Sequence, residues 1–250
     1  MKKIIIINFF VVIVIIFTLE VLIRVFNFVG LQGYDKQAFY SEQGITFSKP
    51  NNTFKVFGIK SKTDINGFRI PLQNYLYDNS KNSILILGDS VAYGVGVKEK
   101  DTFVGILRKK LIKNNLYNTA IFGHNIESYL YILKKNNNKF NNETNQVVIF
   151  LCLNDIVSYL GAVFKKKLKE KNKNNNLQTN ILNNTFAIKL NLFLRERSGL
   201  FILFKSLLTD PVERHYNYMR VLYESKKNLI KFENTINEIS NFAKKNNINF

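Results

Sequence analysis

Cysteine is almost absent, with one residue, Cys152, in a chain of 250. It lies inside the apolar run VVIFLCL, so neither a disulfide framework nor a cysteine-based zinc cluster can be assembled within the chain. Histidine is nearly as scarce, with only His124 and His215. Acidic residues are outnumbered, 18 Asp and Glu against 36 Lys and Arg, for a net charge of +18. Such an excess suits nucleic acid, an anionic membrane surface or an acidic polymer. Yet no stripe interleaves basic with aromatic residues, as single-strand binders require, and this argues against nucleic acid. Asparagine, present 35 times, rises together with lysine and isoleucine under AT-rich codon usage, which is the simpler source of the charge. Nucleotide signatures are lacking too. No Gly-Lys-Ser/Thr follows the loop at 88–96, and Gly94-Val95-Gly96 meets Glu99 where a dinucleotide fingerprint needs its third glycine.

What the amino terminus has is apolar length. Behind Lys2 and Lys3, the run from Ile4 continues to Gly30 with Glu20, Arg24 and Asn27 as its strong interruptions, long enough to cross a bilayer. No small-x-small cleavage site follows, so the reading is an uncleaved anchor over residues 4–29. Glu20 and Arg24, spaced i to i+4, can pair at the interface end, and Arg24 can snorkel toward head groups. The positive flank keeps the amino end cytoplasmic, which sets the rest of the chain outside as an extracytoplasmic, single-pass protein.

Three regions follow from the pattern: residues 1–30 as cytoplasmic tip and anchor, 31–82 as a lead-in with short strands, and 83–250 as the main domain. In the lead-in, Asn66-Gly67 marks a tight turn between two short runs. In the main domain the spacing predicts strands at 84–87, 118–121 and 147–153. They alternate with a helix from an Asp101 or Thr102 cap to about Asn114, apolar at Val104, Leu107, Leu111 and Ile112, and with another over 126–135. Fully apolar strands alternating with helices imply a three-layer α/β/α fold with a parallel sheet. The tract around 165–184 is low-complexity, charged and read as a solvated loop. An ordered block covers 186–208. From about His215 a long helix is expected, with Leu229, Phe232, Ile236, Ile239 and Ala243 on its core face. NNINF then reads as a turn and the first residues of a strand.

The chemistry-bearing stretch is SILILGDSVAYGVGV, residues 83–97, in which a buried strand stops at Gly88-Asp89-Ser90. The carboxyl end of such a strand is where open parallel sheets place ligands. Asp89 reads as a hydrogen-bonding residue of the turn rather than a catalytic acid. LILGDSVAYGVGV resembles the first block of the SGNH hydrolases, also called GDSL esterases or lipases. NTAIFGHN is similar to the second block and FLCLND to the third, GxND, with Cys152 where the family often has glycine. The likeness is strong over residues 84–155, and the anchor with NGFR in the lead-in is similar to membrane-tethered bacterial members.

The resemblance implies a flavodoxin-like SGNH fold, Ser90 as nucleophile, and an oxyanion hole built from the Ser90 and Gly123 backbone N–H groups and the Asn154 side chain. It further implies an acyl-ester substrate, often an O-acetylated glycan or a lipid ester, and no metal or organic cofactor. A serine hydroxyl needs a base to take its proton, and its tetrahedral adduct needs preorganised donors. The family's base comes from Asp-x-x-His after a last strand. DPVERHY has four residues between Asp210 and His215 and precedes the long helix, so it does not match. The expectation is a base on sequence following Phe250, with His124 as a substitute or a catalytically inactive relative as the other readings. A non-catalytic module of the same fold, binding or scaffolding acylated envelope polysaccharide, or an O-acyltransferase accessory, is the alternative function.

Overall fold

The computed structural model describes residues 2–26, 30–31, 33–73, 75–78, 80–137, 146–156, 185–208 and 210–250. The expected low-complexity loop at 165–184, and residues 27–29 of the expected anchor, lie outside the described residues. Two compact units are present: residues 1–34 with 175–214, and residues 35–174 with 215–250.

The first unit holds α1 (Lys2–Phe26), of which the 24 residues Lys3–Phe26, with an 18-residue window of mean hydropathy 2.9, are long and apolar enough to cross a membrane. Its Glu20 and Arg24 pair as the spacing predicts, Nε to Oε1 at 2.7 Å. With it are α5 (Thr185–Arg197) and α6 (Gly199–Leu208).

The second unit is built on a six-stranded mixed sheet. Its strands are β3 (Thr53–Val56), β4 (Ile59–Thr63), β5 (Arg69–Ile70), β6 (Asn82–Gly88), β7 (Asn114–Asn118) and β8 (Gln146–Phe150), in spatial order β3-β4-β5-β7-β6-β8. β7, β6 and β8 run parallel, as the alternating pattern requires. The lead-in strands continue the same sheet antiparallel, β5 meeting β7 through Arg69 and Asn118, with Asn66-Gly67 turning β4 into β5. β1 (Phe39–Glu42) and β2 (Ile45–Ser48) form a separate hairpin. Asn249 bridges Gln146 in parallel on the outer side of β8, where NNINF is expected to begin a strand.

Alternation along β6 divides the core. Leu85 and Leu87 face Ile126, Tyr129, Ile132 and Leu133 of α4 (Ile126–Asn136) and Ile239 and Ala243 of α8 (Lys226–Lys245). Ile84 and Ile86 face Leu116 and Val104, the latter on α3 (Phe103–Lys110). Both faces are therefore covered, which gives three layers and explains why β6 reads as a continuous apolar run. Thr102 starts α3 by accepting from the Gly105 N–H at 3.0 Å, and Asn125 starts α4 by accepting from Ser128.

Three boundaries differ from expectation. α3 ends at Lys110 and β7 begins at Asn114, four residues earlier than expected, because Ile112 is 68% exposed and holds no core place. β8 stops at Phe150, and Leu153–Ile156 is a 3-10 turn. The expected single helix from His215 is two, α7 (Pro211–Tyr223) and α8, parted at residues 224–225. There the Asn228 side chain turns back to donate to the Leu222 carbonyl. Leu229 is consequently 41% exposed, off the core stripe.

Candidate active site

β6 is the strand at which the chain changes direction, with β7 on one side and β8 on the other. The crevice beyond the carboxyl ends of such strands is the ligand-binding position of open α/β sheets. Ser90 follows β6, Gly123 lies on the loop after β7, and Asn154 lies in the turn after β8. Residues far apart in the chain thus come from three adjacent strand ends.

Ser90 opens the short helix α2 (Ser90–Tyr93). Asp89, 1% exposed, caps that helix, its Oδ1 accepting from the Val91 N–H at 2.8 Å. Its Oδ2 accepts from Ser90 Oγ at 3.3 Å and, across 65 positions of sequence, from Asn154 Nδ2 at 2.9 Å, so one carboxylate oxygen ties the serine to the asparagine. The turn reading of Asp89 captures the cap. The bridge to Asn154 is a tertiary fact that no local pattern carries.

Behind α2, Gly94 takes φ +77 and closes the helix in the left-handed region that glycine favours. Arg69, 2% exposed, holds the loop from beneath, donating to the carbonyls of Tyr93, Gly94 (3.0 Å) and Val97 (2.7 Å), with its guanidinium over the Tyr93 ring at 4.5 Å. A buried cation on the last carbonyls of a helix is favourably placed. The loop of Gly123 packs alongside, with Ala120, Ile121 and Phe122 in one apolar cluster with Ala92 and Tyr93. Gly123 itself is exposed, at φ +84, and open space lies where a Cβ would stand. Its backbone is approachable from solvent.

The turn after β8 carries a buried acid. Asp155, 0% exposed, accepts from the Cys152 N–H at 2.7 Å and more weakly from Asn154 Nδ2 at 3.4 Å. The Tyr129 hydroxyl faces it from α4 without a hydrogen bond of good geometry. Burial, reinforced by the charge of Asp89, pushes the Asp155 carboxyl up to about 7. The same burial, with the nearby acids, pushes the Cys152 thiol up to about 12, so it is a neutral thiol and no nucleophile. Both donors of the Asn154 amide are directed at carboxylates. To serve an oxyanion, that amide turns away from Asp155, the longer of its two bonds.

His124, next to Gly123 in the chain, borders the site but is otherwise engaged. It is buried, its Nε2 bonded to the Thr46 carbonyl of β2 at 2.7 Å. Burial lowers it to about 4, opposed by that carbonyl, and so it is neutral at pH 7. Among the described residues it makes no bond to Ser90. His215 lies on α7, where Asp210 caps the helix by accepting from Val212 (2.8 Å) and Glu213 (3.0 Å). Among the described residues no group of three or more His, Cys, Asp or Glu is disposed to hold a metal.

No protein-family model matches the chain, and no curated protein matches it. Among solved structures it is similar to TesA, at 23% identity and TM-score 0.27, over 30% of this chain and 43% of that one. A member of the lipolytic protein G-D-S-L family from Veillonella parvula DSM 2008 matches at 20% identity and TM-score 0.26, over 36% and 49%. AlinE4, an SGNH-hydrolase family esterase, matches at 20% and 0.27, over 33% and 44%. The chain spans about half the length of these structures or less.

Proposed function

We propose that the protein is a membrane-tethered, extracytoplasmic serine ester hydrolase of the SGNH type, acting on acyl esters such as an O-acetylated glycan or a lipid ester. The observation that carries the reading is the order β7-β6-β8, with the loops of Gly123 and Asn154 flanking that of Ser90. In this mechanism Ser90 Oγ adds to the acyl carbon as a base takes its proton, and the former carbonyl oxygen becomes the oxyanion. The N–H groups of Ser90 and Gly123 and the Asn154 amide receive that charge. Collapse breaks the ester C–O bond, the leaving alkoxide takes the proton, and water then releases the acyl group from Ser90. Asp89 aligns the serine and the asparagine.

A second reading is favoured by one specific observation. Among the described residues the only hydrogen-bond partner of Ser90 Oγ is Asp89, and the Asn154 amide is turned inward, as in a non-catalytic module that binds or scaffolds acylated envelope polysaccharide. A fluorophosphonate probe applied to the protein in its own membranes separates the two. Labelling that Ser90→Ala abolishes is expected of the hydrolase. A folded protein that never labels at Ser90 is the binding module.

A further inference from the structure

Glu20 stands about 26 Å beyond Lys3 along α1, at 1.5 Å per residue, so in a hydrocarbon core of about 30 Å it lies close to the far boundary. A carboxylate at that depth needs donors, and it has them. Glu20 accepts from Ser198 Oγ (2.9 Å), Gly199 N–H (3.0 Å), Leu200 N–H (3.0 Å) and Arg24 Nε (2.7 Å). The first three belong to the start of α6, and Gly199 packs on Ile23 so closely that a Cβ there would collide with it. Arg24 also donates to the Arg197 carbonyl at the end of α5. Whatever is bonded to Glu20 shares its depth, so the junction of α5 and α6 sits at the membrane boundary.

The surfaces beyond that junction are apolar in the wrong sense for water. On α6, Gly199 and Ile202 turn inward while Phe204, Leu207 and Leu208 are 56%, 75% and 80% exposed. On α5, Phe186, Leu190 and Phe193 recur at i, i+4 and i+7, the spacing of one helix face, and that face is exposed. The one charge within α6, Lys205, bonds Asn191 of α5 at 2.6 Å, and Arg197 lies over the Phe193 ring at 4.2 Å, as basic side chains do at a lipid interface. Ten residues make about 15 Å of helix, too short to cross the core, so α6 lies in the interface.

We propose that α5 and α6 form a second membrane contact, an interfacial helix pair seated in lipid and locked to the anchor through Glu20. The proposal rests on reading α1 as a membrane span. It gives the protein a lipid-seated footing rather than a single tether, with the bilayer as the occupant of the exposed apolar faces.

The test uses the full chain in vesicles of zwitterionic and anionic phospholipid. In a Cys152→Ser background, an environment-sensitive fluorophore is placed at Leu208→Cys, at Ile13→Cys on α1, and at Ile112→Cys as the aqueous control. Doxyl-labelled lipids are expected to quench Leu208 and Ile13 and to leave Ile112 untouched. Glu20→Ala is expected to reduce quenching at Leu208 while Ile13 keeps it; unchanged quenching at Leu208 overturns the lock. If Ile13 is quenched and Leu208 behaves like Ile112, α6 is not in lipid and the span reading survives alone. A Leu208 probe that reports apolar surroundings without quenching means that protein, such as a second copy, covers α6, and this too overturns the proposal. If Ile13 is not quenched, the span reading fails and takes the proposal with it.

Discussion

At the scale of single residues, Asn154 and Asp155 are neighbours with opposite assignments. In the proposed hydrolase Asn154→Ala removes one oxyanion donor, and turnover is expected to fall by about two to three orders of magnitude in a protein that still folds. A near-normal rate in the folded variant removes Asn154 from the site. Asp155 bears on stability instead. Its folded value, about 7, lies above the ordinary 3.8, so the fold prefers its protonated form. That contribution is fully present below about pH 4 and is lost as pH rises through 7. Asp155→Asn keeps an oxygen for the Cys152 N–H but never ionises. The stability of the variant relative to the native protein is therefore expected to rise between pH 4 and 8 and then level off, as read by denaturant midpoints across that range. A gap that stays flat with pH means that Asp155 titrates normally in the folded protein.

Among the elements, β5 has a reach beyond its two residues, because Arg69 holds the loop behind the serine helix. Arg69→Met leaves the Tyr93, Gly94 and Val97 carbonyls without their cationic donor. A loss on the order of 3 kcal/mol is expected, together with faster hydrogen exchange over residues 93–97. Arg69→Lys is expected to recover only part, since an ammonium cannot fork across three carbonyls. Exchange at 93–97 that stays slow in the folded Met variant would show that the loop does not depend on Arg69. The elements also differ in how plainly the sequence announces them. β6 is legible because both its faces are buried, and the positions that the resemblance picks out, Ser90, Gly123 and Asn154, each follow the end of a strand. β7 is hidden by its polarity. Asn115 and Asn118 are 4% and 2% exposed, yet Asn115 is satisfied by the Asp78 backbone and Asn118 by the Ala120 N–H, which hydropathy cannot register. Arg69 and Tyr129 reach the site from the lead-in and from α4, and only tertiary packing brings them there.

For the whole molecule, the proposed topology makes a direct prediction. A cysteine introduced at Ile112, 68% exposed, is expected to react in intact cells with thiol reagents that cannot cross a bilayer, whereas reaction only after lysis places the sheet unit inside. The clasp on Glu20 also has a history written into it. Its carboxylate and the Ser198 hydroxyl are separated by 178 positions, while Arg24 is only four away. At synthesis rates of about 5–20 residues per second, α1 exists for roughly 10–40 s before its distant partners leave the ribosome. Through that interval Arg24, four residues away, is the partner at hand for the charge, so as the proposed anchor α1 starts as a weaker membrane segment than the finished one. If α1 is the proposed span, a substitution at Arg24 is expected to do the most harm then, by letting α1 slip from the bilayer before the helix that completes it has been made.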